Sequence, residues 1–365
     1  MPLPRFEKRY ERALLALAIG ALGGALAHWL RLPLAWMIGA MLFSTVAAIG
    51  GLPVALPGSL RSLFVAVLGV MLGSGFRPEI LDHLGEWSIS LAGLLFYTGA
   101  AGLVGMLYLR RFGGYDRVTS YFSSMPGGLS EMILVGSSMG GDARVISLMH
   151  ASRILIVILI LPISFQLFLD YDPANRPTAG PPLADETLLD LAMLGGAGAV
   201  GFFLARLLRL PASQLVGPML CSAVIHLAGW TKATPPAEVV AVAQVVIGTA
   251  IGCRFAGTRL FFVLRVLISA SGLTLILLGM TLLFALALHA MTGLPTPYLI
   301  LAYAPGGLAE MSLVALALAF DAAFVATHHI VRIFLVVVLA PLAFRARNRG
   351  GAAPGGAPPG APPGS

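Results

Sequence analysis

Charge is what this sequence lacks most. Only 11% of its 365 residues are Asp, Glu, Lys or Arg, where a soluble domain carries about a quarter. A water-soluble globule of this length is excluded, because its surface would have too little polar material to cover it. Cysteine is almost absent. Cys221 and Cys253 stand alone within apolar segments, so there is no disulfide framework and no Cys-rich metal motif. The histidines His28, His83, His226, His289 and His328 form no ligand cluster, which leaves no expected metal site, cofactor or enzymatic centre. No polar recognition module remains once the apolar segments are removed, so direct binding of nucleic acid is not expected despite a formal net charge of +7. The basic N-terminus (Arg5, Lys8, Arg9, Arg12) precedes an apolar run without a small-residue cleavage site, which predicts a retained first helix.

What is present is apolar. The hydrophobic fraction is 58% and the mean hydropathy +0.91. Long runs such as Ser88–Leu109, Val145–Leu169 and Leu260–Leu288 suit helices, whereas a barrel would alternate with a period of two. The solvent for such a chain is lipid, where each backbone polar group needs an internal partner. The fold class is an all-α polytopic membrane protein.

The chain is also repeated. Leu30-Arg-Leu-Pro33 recurs as Leu208-Arg-Leu-Pro211, and Gly39, Met41, Leu42 and Ser44 match Gly217, Met219, Leu220 and Ser222. Gly69, Gly73 and Phe76 match Gly248, Gly252 and Phe255. Pro126-Gly-Gly-Leu-Ser-Glu-Met132 matches Pro305-Gly-Gly-Leu-Ala-Glu-Met311, and Asp142, His150, Arg153 and Pro162 fall on Asp321, His329, Arg332 and Pro341. The offset is 178 at first and 179 thereafter, and one register over so long a stretch means duplication. The expected organisation is a first membrane repeat (1–169), a polar linker (170–186), a second repeat (187–344) and a Gly/Pro/Ala-rich disordered tail (345–365). Each half carries five ordinary helical segments, about 10 full crossings in all, and one segment broken by Pro-Gly-Gly (117–140 and 296–320).

Positive charge orients the halves. If each broken segment re-enters on one side, the repeats are inverted; sixteen Lys/Arg then lie inside and four (Arg31, Arg77, Arg176, Lys232) outside. If every segment crosses, the split falls to thirteen against seven. Both counts omit Arg144, Arg153 and Arg332. The positive-inside rule favours inverted repeats with both termini cytoplasmic in a bacterial inner membrane.

The candidate substrate- and ion-binding residues cluster at the breaks. Pro126, Gly127, Gly128 and Pro305, Gly306, Gly307 free backbone groups inside apolar segments, which lipid tolerates only beside protein or a watery cavity. The restarting helices offer N–H groups and a positive dipole end, and paired interruptions in two halves point to a transporter's substrate site. The bland alternative is a packing kink, with Glu131 and Glu310 merely capping the restart. Those two acids are otherwise expected to bind a cation or proton. Asp142, His150 and Arg153, repeated as Asp321, His329 and Arg332, fall within roughly 80° of one helix face; a plain Asp–Arg lock between the halves competes with a transport role. The glycine pairs Gly69/Gly73 and Gly248/Gly252 are read as close helix packing.

The duplicated Pro-Gly-Gly-Leu-[Ser/Ala]-Glu-Met motif resembles the AbrB-type duplicated membrane protein family of bacteria, over about residues 12–344. Members of that family are labelled either as transcriptional regulators, from a role in regulation of gene expression, or as ammonia monooxygenases. The family looks like a distant relative of cation/proton antiporters and anion transporters with inverted repeats. The residues favour a secondary transporter, ion- or proton-coupled, for a small solute, with an anion as the candidate; the alternative is a membrane sensor acting on gene expression indirectly. The expected partners are the lipid bilayer, a small solute, and protons or cations, with a homodimer left open.

Overall fold

The computed structural model describes residues 7–76, 80–168 and 180–349. Most of the linker (170–179), Arg77 and the tail from 350 onward lie outside the described residues. The first half folds as α1 (Glu7–Trp29), α2 (Ala35–Ile49), α3 (Gly58–Gly73), α4 (Ile80–Tyr108), α5 (Arg117–Ser124), α6 (Leu129–Ser138) and α7 (Ala143–Phe168). The second follows as α8 (Leu188–Leu207), α9 (Ser213–Leu227), α10 (Ala237–Gly252), α11 (Leu260–Thr292), α12 (Thr296–Tyr303), α13 (Leu308–Ala317) and α14 (Ala322–Arg349). α14 passes the boundary drawn at 344, because no glycine or proline follows Pro341 before Gly350.

Seven of these helices are long and apolar enough to cross a membrane. With the shorter apolar helices α2, α3 and α9 they make the ten expected. α2 and α9 have 15 residues each and reach roughly 22 Å, short of a hydrocarbon core of about 30 Å. Their neighbours shield them on either side.

Glycine sets how the halves meet. α1 packs antiparallel on α2, with Gly23 against the Gly39 carbonyl, and α8 repeats this on α9, with Gly201 against Gly217. The other glycine pairs act between halves. Gly69 and Gly73 of α3 lie on the backbone of Leu215–Ala223 in α9, and Gly248 and Gly252 of α10 lie on Met37–Thr45 in α2. A side chain at any of these glycines would overlap the facing backbone, which is the close approach that small residues permit between membrane helices.

These contacts also fix direction. The start of α3 (Arg61, Val65) lines one cavity with the end of α10 (Ile251, Arg254). At the other end of α3, Gly73 meets Ser222 and Ala223. One turn further, His226 Nε2 donates to the Ala233 carbonyl, just before α10 begins, at 2.8 Å. The equivalent helices α3 and α10 therefore run in opposite directions, and the halves are inverted.

The broken segments are hairpins. Asp142 N–H, beyond the end of α6, donates to Thr119 Oγ1 near the start of α5 at 2.9 Å, and a Cβ on Gly141 would lie 3.2 Å from Val118. In the second half, Tyr298 at the start of α12 stacks beside Phe320, past the end of α13, with ring centroids 4.9 Å apart. Each hairpin leans on the last helix of the other half: Tyr121 OH donates to the Ala340 carbonyl at 2.9 Å, and Phe320 meets Phe165 edge-on.

Gly217→Val drives a branched side chain into the Gly201 backbone. It should destabilise the detergent-solubilised protein by about 1–3 kcal/mol in thermal unfolding, whereas Gly195→Ala, which has nothing within 4 Å, should leave it unchanged or slightly more stable.

Candidate functional site

An α-helix that stops inside an apolar segment leaves its last carbonyls without partners. α5 and α12 stop in this way at the two breaks, and an arginine from the following long helix reaches each of them. Arg332 Nη1 donates to the carbonyls of Tyr303 (3.4 Å) and Ala304 (2.6 Å), and its Nη2 donates to Gly306 O at 2.9 Å. Arg153 Nη1 donates to Met125 O at 3.2 Å. The guanidinium also sits at the negative dipole end of the short helix.

A histidine one turn earlier holds each arginine in place. Arg153 Nη2 donates to His150 Nδ1, and Arg332 Nη2 to His329 Nδ1, both at 2.9 Å. The opposite ring nitrogens donate to Phe122 O and Leu301 O, also at 2.9 Å. Nδ1 as acceptor and Nε2 as donor fixes one neutral tautomer in both halves. Both histidines and both arginines are buried, yet Nε of each arginine has no partner.

On the far side of each break the restart is led by glycine. Gly128 and Gly307 are the N-caps of α6 and α13 and offer no side-chain cap. The carboxylates of Glu131 and Glu310, at the third helical position, fold back over these glycines, and a Cβ there would overlap their Oε2 atoms. This explains why glycine must lead the acid by three residues. Glu131 Oε1 also accepts from Ala212 N–H at 3.2 Å, tying the first hairpin to the start of α9. Ala212 is left-handed, at φ 48°, and so is its counterpart Leu34, at φ 47°. Such a backbone costs a residue with a side chain roughly 1–2 kcal/mol, so the residue after each Leu-Arg-Leu-Pro copy holds strain, and Ala212 holds it next to the site.

The two hairpin tips converge on one cavity of about 200 Å³. Gly127, Gly128 and Glu131 line it from one half, and Gly306, Gly307 and Glu310 from the other, with Arg153 and Arg332 behind them. Pro126 and Pro305 make the breaks but do not face the cavity, and His150 and His329 stand one layer back.

Asp142 and Asp321 do not join the site. Both lie just outside α7 and α14 and cap them. Asp142 Oδ1 accepts from the N–H groups of Arg144 and Val145, and Asp321 Oδ1 from those of Ala323 and Phe324. The polar stripe expected from helical periodicity fails because the period was carried one residue past the helix end. The Asp–Arg lock fails with it, since these carboxylates are committed to backbone N–H groups some 16 Å along the helix from the arginines.

Two charged residues outside the predicted set also line the cavity. Arg61, from α3, and Arg254, just after α10, face the cavity, and Arg254 Nη1 reaches Ser147 Oγ at 3.5 Å. In sequence they pass as orientation charges, and neither is duplicated: their counterparts are Val240 and Gly75. The charge balance at the site is therefore four arginines to two glutamates, where the sequence suggested four acids to two arginines. Among the described residues the lining draws on the start of α9 (Ala212–Leu215) but not on the equivalent start of α2, so the cavity is one-sided.

A family model described as "Transition state regulatory protein AbrB" matches residues 36–348. The chain is similar to "Uncharacterized protein YhjN" of Bacillus subtilis (strain 168), 27% identical over 359 residues, with 90% of this chain and 91% of the relative covered. It is also similar to "Putative regulator AbrB" of Escherichia coli (strain K12), 29% identical over 322 residues, with 86% and 90% covered.

Because Arg332 serves three carbonyls and Arg153 one, Arg332→Lys should lower stability more than Arg153→Lys, by about 1–3 kcal/mol. Thermal unfolding in one detergent measures this, and equal losses would show that the carbonyl contacts are not what these side chains contribute.

Proposed function

The chain belongs to the AbrB family, and from that premise we propose that it is a secondary transporter of a small anion, coupled to protons. The observation that carries this reading is the meeting of two interrupted hairpins, from oppositely directed halves, at one cavity where arginine outnumbers acid. Two helix N-termini aim N–H groups and partial positive charge at the same space. The forks of Arg61 and Arg254, which line the cavity, suit a carboxylate, phosphate or similar oxyanion.

Glu131 and Glu310 oppose an anion when ionised. In the proposed cycle each takes a proton as the substrate arrives, which removes the repulsion and couples the two movements. Glu310 is 5% exposed, whereas Glu131 is half-buried and bonded to Ala212. The two acids therefore sit in different surroundings, which suits a cycle in which inverted halves expose the site in turn.

The hairpins leave five crossings in each half, so the halves can only be inserted in opposite senses. With sixteen basic residues against four, the reading places both termini in the cytoplasm, the linker outside, and the part of the lining formed by Arg61, Arg254 and the start of α9 toward the cytoplasmic side of a bacterial plasma membrane. A second reading, a membrane sensor acting on gene expression indirectly, draws on the word regulator in the family description and in the name of one relative. It would use the same cavity to bind the solute without moving it.

Flux in proteoliposomes separates these readings. Uptake of a small carboxylate or oxyanion should rise with acid outside. Arg61→Gln and Arg254→Gln should each weaken substrate affinity about tenfold, and Glu310→Gln should uncouple uptake from the proton gradient. Saturable binding without flux would favour the sensor, and sodium-for-proton exchange indifferent to every anion would make the acids the site instead. Topology has its own test. In a background lacking Cys221 and Cys253, an impermeant thiol reagent applied to intact cells should label a cysteine placed at Ala174 but not one placed at Ala352.

A further inference from the structure

Inverted repeats should present equivalent seams between equivalent helices, and in this chain two such seams differ. α1 lies so close on α10 that a Cβ on Gly20 would overlap Thr249 Oγ1. The equivalent glycine of α8, Gly198, has only the Val70 side chain near it, at 3.2 Å, and Gly195 one turn earlier meets nothing within 4 Å. α8 therefore stands off α3, and the space between them is a cavity of about 850 Å³. Its walls are apolar over most of their length, including Leu63, Val67, Leu194 and Phe202. Polar groups collect at one end, where Ser59, Arg206 and Gln214 lie together.

We propose that this groove binds one phospholipid with an anionic headgroup, drawn from the leaflet on the arginine-rich side of the protein. Three features select that occupant. From Ser59 to Val70 the groove follows α3 for about 17 Å, close to the depth of one leaflet in a core of about 30 Å. Arg206 is exposed at the end where a headgroup would rest, with Arg209 in the next turn of chain, and basic residues beside helix seams on this face recognise phosphate-bearing headgroups. The remaining wall offers hydrocarbon and no further charge, which suits acyl chains and excludes a polar solute.

The site has a consequence for the central cavity, because Ser213 and Gln214 line both spaces. A headgroup on Arg206 rests against the first turn of α9, whose opposite side faces the hairpin tips and whose strained start, Ala212, is held by Glu131. The bound lipid is a wedge that keeps α8 off α3 and sets where the α9 start can lie.

Native mass spectrometry of the full chain, released from mixed micelles of phosphatidylglycerol and phosphatidylcholine, tests this. Wild-type protein should retain one phosphatidylglycerol, with a preference of about tenfold over phosphatidylcholine. Arg206→Gln should reduce that preference to near unity, while Arg259→Gln, an exposed arginine not in the groove lining, should keep it. Ala199→Phe should abolish retention of both lipids, and Val67→Trp plugs the groove from the opposite wall if the first variant does not fold. Equal retention of the two lipids by wild type, or an unchanged preference in Arg206→Gln, would overturn the proposal. So would disulfide-linked dimers from a single cysteine at Leu63, which would give the groove to a second copy of the chain.

Discussion

A helix that ends inside a bilayer must find partners for its last carbonyls within the protein, and the site is built around that requirement. Lipid offers no donors at that depth, and each carbonyl left bare there costs several kcal/mol. The guanidinium of Arg332 meets this cost at three carbonyls, and that of Arg153 at one. Their positions then dictate much else. Each arginine must come from a helix that runs past the hairpin tip, its histidine must lie one turn before it, and the ring must bond the short helix it supports. The fold has little freedom left in where the tips go.

The hairpins work only against a rigid frame, and glycine supplies one. Gly69 and Gly73 press α3 onto α9, while Gly248 and Gly252 press α10 onto α2, so each half is completed by the other. Backbone approach of this kind leaves no room for sliding. The packing is less dense elsewhere: a single Glu131 contact spans frame and hairpin at the left-handed Ala212, and the seam beside α8 is open.

What the sequence made readable follows from the strength of local signals. Pro-Gly-Gly in an apolar run, an acid three residues after glycine, and a register kept across the halves all leave marks that lipid makes expensive and therefore conspicuous. The re-entrant course of 117–140 was legible only through the distribution of positive charge, and it is the Asp142–Thr119 bond that gives it geometry. Asp142 and Asp321 were misplaced because periodicity has no way to signal where a helix begins; the cap does. Arg61 and Arg254 escaped because repetition was the guide to the site and they are not repeated. The Glu131–Ala212 contact joins residues 81 positions apart, and no local pattern announces it.

The absence of a repeat at those two arginines has a further meaning. Two identical halves related by a twofold axis in the membrane plane would present the same potential to both faces of the bilayer, and any charge at one mouth of the cavity would reappear at the other. Joining the halves in one chain lifts that identity. Arg61 faces the cavity where its twin position is Val240, and Arg254 where its twin is Gly75. The charge lining the cavity is thereby unequal between the halves, although both halves contribute the same Pro-Gly-Gly break to it. The difference between the two sides of the site is written into these side chains, at positions where the duplication left none.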